Sequence, residues 1–176
     1  MYQIKKGFTK GFTLVELMVT LAVAAILIGI AVPSLTYLYE SSRSRSAASS
    51  IESAFVFARN QAVSFGRRVT VCPGDGTGCT SDWIDGFTIF IDDDQNGVKD
   101  NNTDVLRYVD AFKDSDYIKA SSSSNVTFNP DGLVSGSNAQ TITYCPGATD
   151  SSHSRQVSLS ASGRVQLITD GVDCTS

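Results

Sequence analysis

Lys10-Gly11-Phe12-Thr13-Leu14-Val15-Glu16-Leu17 places a basic residue, a glycine and one carboxylate at the head of a long apolar run. From residue 17 to residue 39 no side chain is charged, 23 positions in all. At 1.5 Å rise per helical residue this is roughly 35 Å, enough to cross a hydrocarbon core of about 30 Å. Lys5, Lys6 and Lys10 precede the run, so the positive-inside bias predicts a cytoplasmic N-terminus and an exported C-terminal part. The small-residue cleavage site that follows an ordinary secretory signal is missing here. Glu16 is the anomaly. A charge at the centre of a bilayer helix costs roughly 2.5–3.5 kcal/mol on insertion scales, so a carboxylate inside the apolar run asks for a positive partner. A permanent, uncut anchor would gain nothing from it.

The 176 residues suffice for one membrane-anchored domain with a modest core. Formal net charge is −4, and without the three lysines before the apolar run 11 basic residues face 18 acidic ones. Nearly all of that acidity follows Phe65 and is aspartate. An acidic head is a poor general platform for nucleic acid, which needs a basic footprint. Cys72, Cys79, Cys145 and Cys174 all fall in the segment predicted to be exported, where disulfides persist. Zinc is disfavoured by the lack of a C-x-x-C pair and the single histidine. Four cysteines allow three pairings. Pro-Gly-Asp-Gly-Thr-Gly between Cys72 and Cys79 turns readily, which favours that local pair and leaves Cys145 with Cys174.

Residues 12–65 read as one long helix with interruptions. Pro33 should bend it, because proline removes a backbone donor and clashes with the preceding turn, and Gly29 adds local softness. Arg43, Ser44 and Arg45 mark the exit from the membrane. Beyond them Ile51, Phe55, Ala58, Ala62 and Phe65 recur at helical spacing and define a face that covers a sheet. Gly66 is the expected stop. Thereafter strand patterns occupy residues 69–72, 87–91, 105–112, 126–128, 141–144, 157–159 and 165–168. Asp75-Gly76, Asn96-Gly97, Pro130-Asp131-Gly132 and Ser162-Gly163 supply the turns. Connections this short favour antiparallel pairing. The fold class is therefore α+β: a long N-terminal helix packed on an antiparallel, β-rich C-terminal head. Its parts are a basic N-terminal stretch (1–11), a membrane helix (12–39), an amphipathic half (40–65) and the head (66–176).

Gly11-Phe12-Thr13-Leu14-Val15-Glu16 resembles the N-terminus of type IV pilins and type II secretion pseudopilins. In that family a membrane peptidase cuts after the glycine, methylates the new N-terminal Phe and leaves Glu fifth. Cutting after Gly7 would put Phe12 fifth, whereas cutting after Gly11 puts Glu16 there. Pro33, twenty-second in the mature chain, extends the resemblance. Ala58-Arg59-Asn60-Gln61-Ala62-Val63, Val69-Thr70-Val71-Cys72-Pro73, Trp83, Gly86, Phe90-Ile91-Asp92 and Ser162-Gly163-Arg164-Val165 narrow it to the GspH/FimT/FimU branch. The resemblance implies that Glu16 pairs with the N-terminal ammonium of a neighbouring subunit. It implies partners among other minor pilins, the major pilin, the prepilin peptidase and inner-membrane lipid. It also implies an inner-membrane, single-pass protein with a periplasmic head that later enters the pilus.

Within the branch, the expected role is that of a FimU-like minor pilin initiating or capping the filament. The alternatives are a GspH-like pseudopilin and a FimT-like DNA-binding pilin. FimT-like members bind DNA through Gly-Arg, any residue, then a second Arg. Here Gln166 stands in the last place, leaving Arg164 as a lone candidate contact. Asp92-x-Asp94-x-Asn96-Gly97-Val98-x-Asp100 matches the first nine positions of an EF-hand-like calcium loop. The twelfth position is Thr103, however, and Asn96-Gly97 is already a sufficient hairpin signal. No metal or other cofactor is expected. Neither a G-x-S-x-G elbow nor an H-E-x-x-H pair accompanies the single His153, so no enzyme is expected.

The count to Glu16 generates a prediction. Mass spectrometry of the membrane-extracted protein should show a chain beginning with N-methyl-Phe12, and Gly11→Val should retain the leader. A mature chain starting at Phe8, or an intact Met1, would overturn the processing argument.

Overall fold

The computed structural model describes residues 11–74, 78–101, 104–122, 125–137 and 139–175. The leader up to Lys10, the Asp75-Gly76 turn and Thr103 lie outside the described residues. Helix α1 spans Leu14–Phe65 and is unbroken at Gly29 and Pro33, where interruptions were expected. The chain divides between Tyr39 and Glu40 into two compact units.

In the first unit every described side chain is exposed. That is the surface of a helix apolar on all sides, suited to lipid and not to water. Two of its hydroxyls are satisfied within the helix, because Thr20 Oγ1 donates to the Leu17 carbonyl at 2.9 Å and Thr36 Oγ1 to that of Val32 at 3.1 Å.

From Glu40 onward the helix becomes one-sided. Ser44, Ala47, Ala48, Ile51, Ala54, Phe55, Ala58 and Ala62 are buried, a stripe at helical period whose small side chains bring the helix close to the sheets. Phe65, expected on the same face, is instead 50% exposed, since it is the last helical residue. The helix ends in a Schellman arrangement: Gly66 adopts φ +64° and the Arg67 amide donates to the Ala62 carbonyl at 3.3 Å.

The head holds two four-stranded antiparallel sheets. One has the order β3-β2-β1-β5, from β1 (Val69–Pro73), β2 (Phe87–Ile91), β3 (Val105–Val109) and β5 (Val126–Phe128). The other has the order β4-β6-β7-β8, from β4 (Tyr117–Ala120), β6 (Gln140–Cys145), β7 (Arg155–Leu159) and β8 (Val165–Ile168). Alternation on β1 sends Val69 and Val71 into the core with Phe55, Trp83, Phe87, Ile89 and Phe128. Thr70 points the other way, where its hydroxyl meets that of Thr127 at 2.6 Å and the Asp92 carboxylate at 2.7 Å. The first sheet is thus covered on both faces.

Two expectations are corrected. The strand pattern over 105–112 stops at Val109, because the Phe112 amide leaves the ladder to donate to the Ile84 carbonyl at 2.8 Å. Strand β4 was not anticipated: Tyr-Ile-Lys-Ala is a short edge strand whose side chains are exposed or only half-buried, so it carries no clean alternation.

One glycine ties the elements together. Gly163 has φ +75°, and a Cβ there would lie 2.2 Å from the Gly132 carbonyl oxygen and 2.8 Å from Arg59 Nε. Gly66 has a similar φ but open space around it. Both alanine variants carry backbone strain of about 1–3 kcal/mol, and Gly163→Ala adds a backbone collision. The full chain in detergent should therefore melt several degrees lower with Gly163→Ala than with Gly66→Ala. Equal melting temperatures would show that the turn at Gly163 can yield.

Candidate functional site

The helix start is built from Thr13 and Glu16. The Thr13 amide and hydroxyl both donate to Glu16 Oε2, at 3.2 and 3.3 Å, and the Glu16 amide donates to Thr13 Oγ1 at 3.2 Å. This is a reciprocal capping box, in which two amides at the helix N-terminus find side-chain acceptors and the carboxylate meets the positive end of the helix dipole. Thr-x-x-Glu before an apolar run is its sequence signal. Gly11, Phe12 and Glu16 are all exposed, so the carboxylate is oriented by its own chain and open to a neighbour.

A second cluster lies where the helix enters the head. Arg43 Nη2 donates to Asp116 Oδ1 at 2.8 Å, with the Asp116 side chain fully buried and that of Arg43 16% exposed. The Tyr144 hydroxyl donates to Asp116 Oδ2, and the Gly147 amide to Oδ1 at 3.0 Å. Burial, with Asp116 close by, pushes the Tyr144 phenol well above its ordinary value, so it remains a donor. Ser44 Oγ donates to the His153 carbonyl at 2.5 Å. The helix is thereby joined to β6 and to the loops flanking β4 and β7. Arg43 and Asp116 are 73 residues apart, and no local pattern announces their pairing.

A third cluster surrounds Arg59. Its Nε donates to the Gly132 carbonyl at 3.0 Å and its Nη2 to that of Ser162 at 3.5 Å, tying the turns before Val134 and β8 to the helix. Arg164, the candidate DNA contact, is exposed in the β7–β8 turn beside it, and Gln166 is exposed on β8. Arg59 cannot serve as the missing second cation, because its guanidinium is committed to these carbonyls.

The β2–β3 loop carries Asp92, Asp94, Asn96 and Asp100. Asp92 is fully buried, and its Oδ2 accepts from Thr70 Oγ1 at 2.7 Å and from the Gly97 amide at 3.2 Å. Burial raises its carboxyl above the usual carboxylate range. Asp94 accepts from the Asn96 amide at 3.2 Å and from its Nδ2 at 2.8 Å, while Asn96 Oδ1 accepts from the Val98 amide at 2.7 Å. Among the described residues no three Asp, Glu, His or Cys side chains converge as a metal group. The loop leans on the first disulfide: a Cβ at Gly97 would lie 3.3 Å from Cys79 Sγ. Cys72 is joined to Cys79, and Cys145 to Cys174. The second bond tethers the C-terminal tail to β6, where the Cys174 amide also donates to the Thr149 carbonyl at 2.7 Å.

A wholly apolar helix with a capped carboxylate at its start, continuing into a two-sheet antiparallel head, defines a pilin-like subunit. A family model described as "Type II transport protein GspH" matches residues 47–163, and one described as "Prokaryotic N-terminal methylation motif" matches residues 4–32. The chain belongs to the GspH family, among minor pilins and pseudopilins, which are structural subunits that assemble with other pilins. Two crystal structures of the Pseudomonas aeruginosa type IV minor pilin FimU are similar. One has a TM-score of 0.62 at 24% identity, covering 78% of this chain and 98% of FimU. The other has 0.59 at 26%, covering 74% and 98%. The Vibrio cholerae minor pseudopilin EpsH shares the fold, with a TM-score of 0.53, 14% identity and coverage of 72% and 97%. A search of curated proteins gives no match.

The Arg43–Asp116 pair generates a prediction. Breaking a buried ion pair from one side costs about 3–5 kcal/mol, because the remaining charge is stranded. Arg43→Met should lose stability on that scale in urea denaturation followed by Trp83 fluorescence. Adding Asp116→Asn should restore part of it. A loss within about 0.5 kcal/mol, as for an ordinary surface change, would mean that the pair does not hold the head to the helix.

Proposed function

We propose that the protein is a minor pilin of a type IV pilus that helps initiate or cap the filament. The observation that carries this reading is the head. Its likeness to FimU, with a TM-score of 0.59 at 26% identity, exceeds its likeness to EpsH, with 0.53 at 14%. The chain enters the inner membrane with its head in the periplasm, is cut after Gly11, and is methylated on Phe12. Its apolar helix then packs among other pilin helices. Glu16, held by Thr13 and exposed, meets the N-terminal ammonium of a neighbour, and the pair fixes axial register. Two opposite charges tolerate lipid together far better than either does alone. The head makes the lateral contacts with sister minor pilins and the major pilin.

A pseudopilin of a type II secretion system is the second reading, favoured by the description of the matching family model. DNA uptake has weaker support: Arg164 lies in an acidic chain with Gln166 two residues on, and a single phosphate contact is readily screened by salt.

The test separates charge from helix capping. Gln fits the capping box as Glu does, so Glu16→Gln keeps the helix start while removing the charge. Glu16→Gln and Glu16→Ala should both insert and lose their leaders, yet fail to enter sheared pili or support pilus formation. Thr13→Val, which disturbs only the cap, should assemble. Full complementation by Glu16→Gln would reject the ion pair. Loss of DNA transformation with Arg164→Ala while Glu16→Ala still forms pili would replace the structural reading with DNA uptake.

A further inference from the structure

Asp92 carries a buried oxygen that the fold does not satisfy. Its side chain is fully buried, Oδ2 takes the Thr70 hydroxyl and the Gly97 amide, and Oδ1 has no hydrogen-bond partner among the described residues. Asp94, two residues on, carries a second carboxylate near enough to raise that of Asp92, and it accepts from the Asn96 amide and Nδ2. Two carboxylates this close, one without water, cannot both stay charged unless something positive lies between them. A buried carboxylate oxygen left without a donor calls for an ion or a proton.

The spacing favours an ion. Asp92, Asp94 and Asn96 bring oxygen ligands at alternate residues, and Gly97, at φ +72° and buried, makes the sharp turn that returns its amide to Asp92. The sequence alone allowed Asn96-Gly97 to be a plain hairpin. The orphaned oxygen is what a plain hairpin does not explain.

We propose that Asp92 Oδ1 and the Asp94 carboxylate bind a calcium ion in the β2–β3 loop. No third acidic side chain joins them as a metal group among the described residues, so Asp100 stays outside. Amide, carbonyl and water oxygens complete the shell. With two carboxylates the affinity falls among weak extracellular calcium modules, about 10⁻⁴–10⁻³ M. The ion would fasten the loop to the end of β2, beside the Cys72–Cys79 disulfide against which Gly97 packs.

The experiment uses the full chain in detergent, stripped with chelator and exchanged into chelator-free buffer. Calorimetric titration and thermal melting are then run with about 5 mM CaCl₂ or MgCl₂, above the expected dissociation constant. Calcium should give a saturable heat and raise the melting temperature by a few degrees, and magnesium should do neither. Asp94→Ala, at an exposed position that folding tolerates, should abolish both effects, while Asp100→Ala should keep them. The readout does not depend on Asp92→Asn, which sits in the fold itself. No heat and no shift in the wild-type chain would overturn the proposal and leave a proton on Asp92 as the balancing charge. An equal shift with magnesium, or one that survives Asp94→Ala, would also overturn it, as charge screening.

Discussion

A single helix must satisfy two solvents in succession, and the rest of the structure follows from where it changes. Up to Tyr39 it is exposed on every side, which only lipid or other apolar helices can accept, since an apolar surface of that extent is costly in water. From Ser44 its buried positions narrow to one stripe of Ser, Ala, Ile and Phe. Four alanines before the last turn let the sheets approach, and Ile51 and Phe55 supply the bulk that alanine lacks. Phe55 lies 6.1 Å from the Trp83 ring and 6.5 Å from that of Phe128, so the helix anchors an aromatic cluster shared with the first sheet.

Apolar burial alone would leave the head free to slide along such a smooth stripe. Polar contacts at both ends of the stripe set the register. Arg43 reaches Asp116 near its start, and Arg59 reaches the Gly132 and Ser162 carbonyls near its end. The first is a buried charge pair, which adds specificity more readily than net stability. The second uses donors of one guanidinium to hold two turns, and it explains why glycine stands at both Gly132 and Gly163. By contrast the Arg67–Asp93 pair, at 2.6 Å with both side chains about half exposed, contributes little, on the scale of other surface pairs.

Much of this was legible in the sequence because periodicity is a local property. The length of α1, its stop at Gly66, and the strands at Phe87–Ile91, Val126–Phe128 and Val165–Ile168 have the expected bounds or nearly so. What escaped was set by contacts distant in sequence or by patterns too short to repeat. Strand β4 has four residues and one paired edge. Strand β3 ends where a bond to Ile84 outcompetes the ladder. The Arg43–Asp116 pairing spans 73 positions and has no motif. The capping box was a different kind of miss: Thr13 and Glu16 stand at the required spacing, but the carboxylate had been read only for its partner in another subunit.

The cap matters for how Glu16 works. A free glutamate at a helix start samples many rotamers, and fixing it in an interface would cost up to about 2 kcal/mol of side-chain entropy. Here two hydrogen bonds from Thr13 already hold Oε2 against the helix end, so part of that ordering precedes assembly. The carboxylate is presented at the helix end, exposed and with its position set by the helix axis. In the proposed filament the charge makes the pairing, and the cap lowers its entropic cost. In that proposal the head, rather than the helix start, is left to determine which neighbour is accepted.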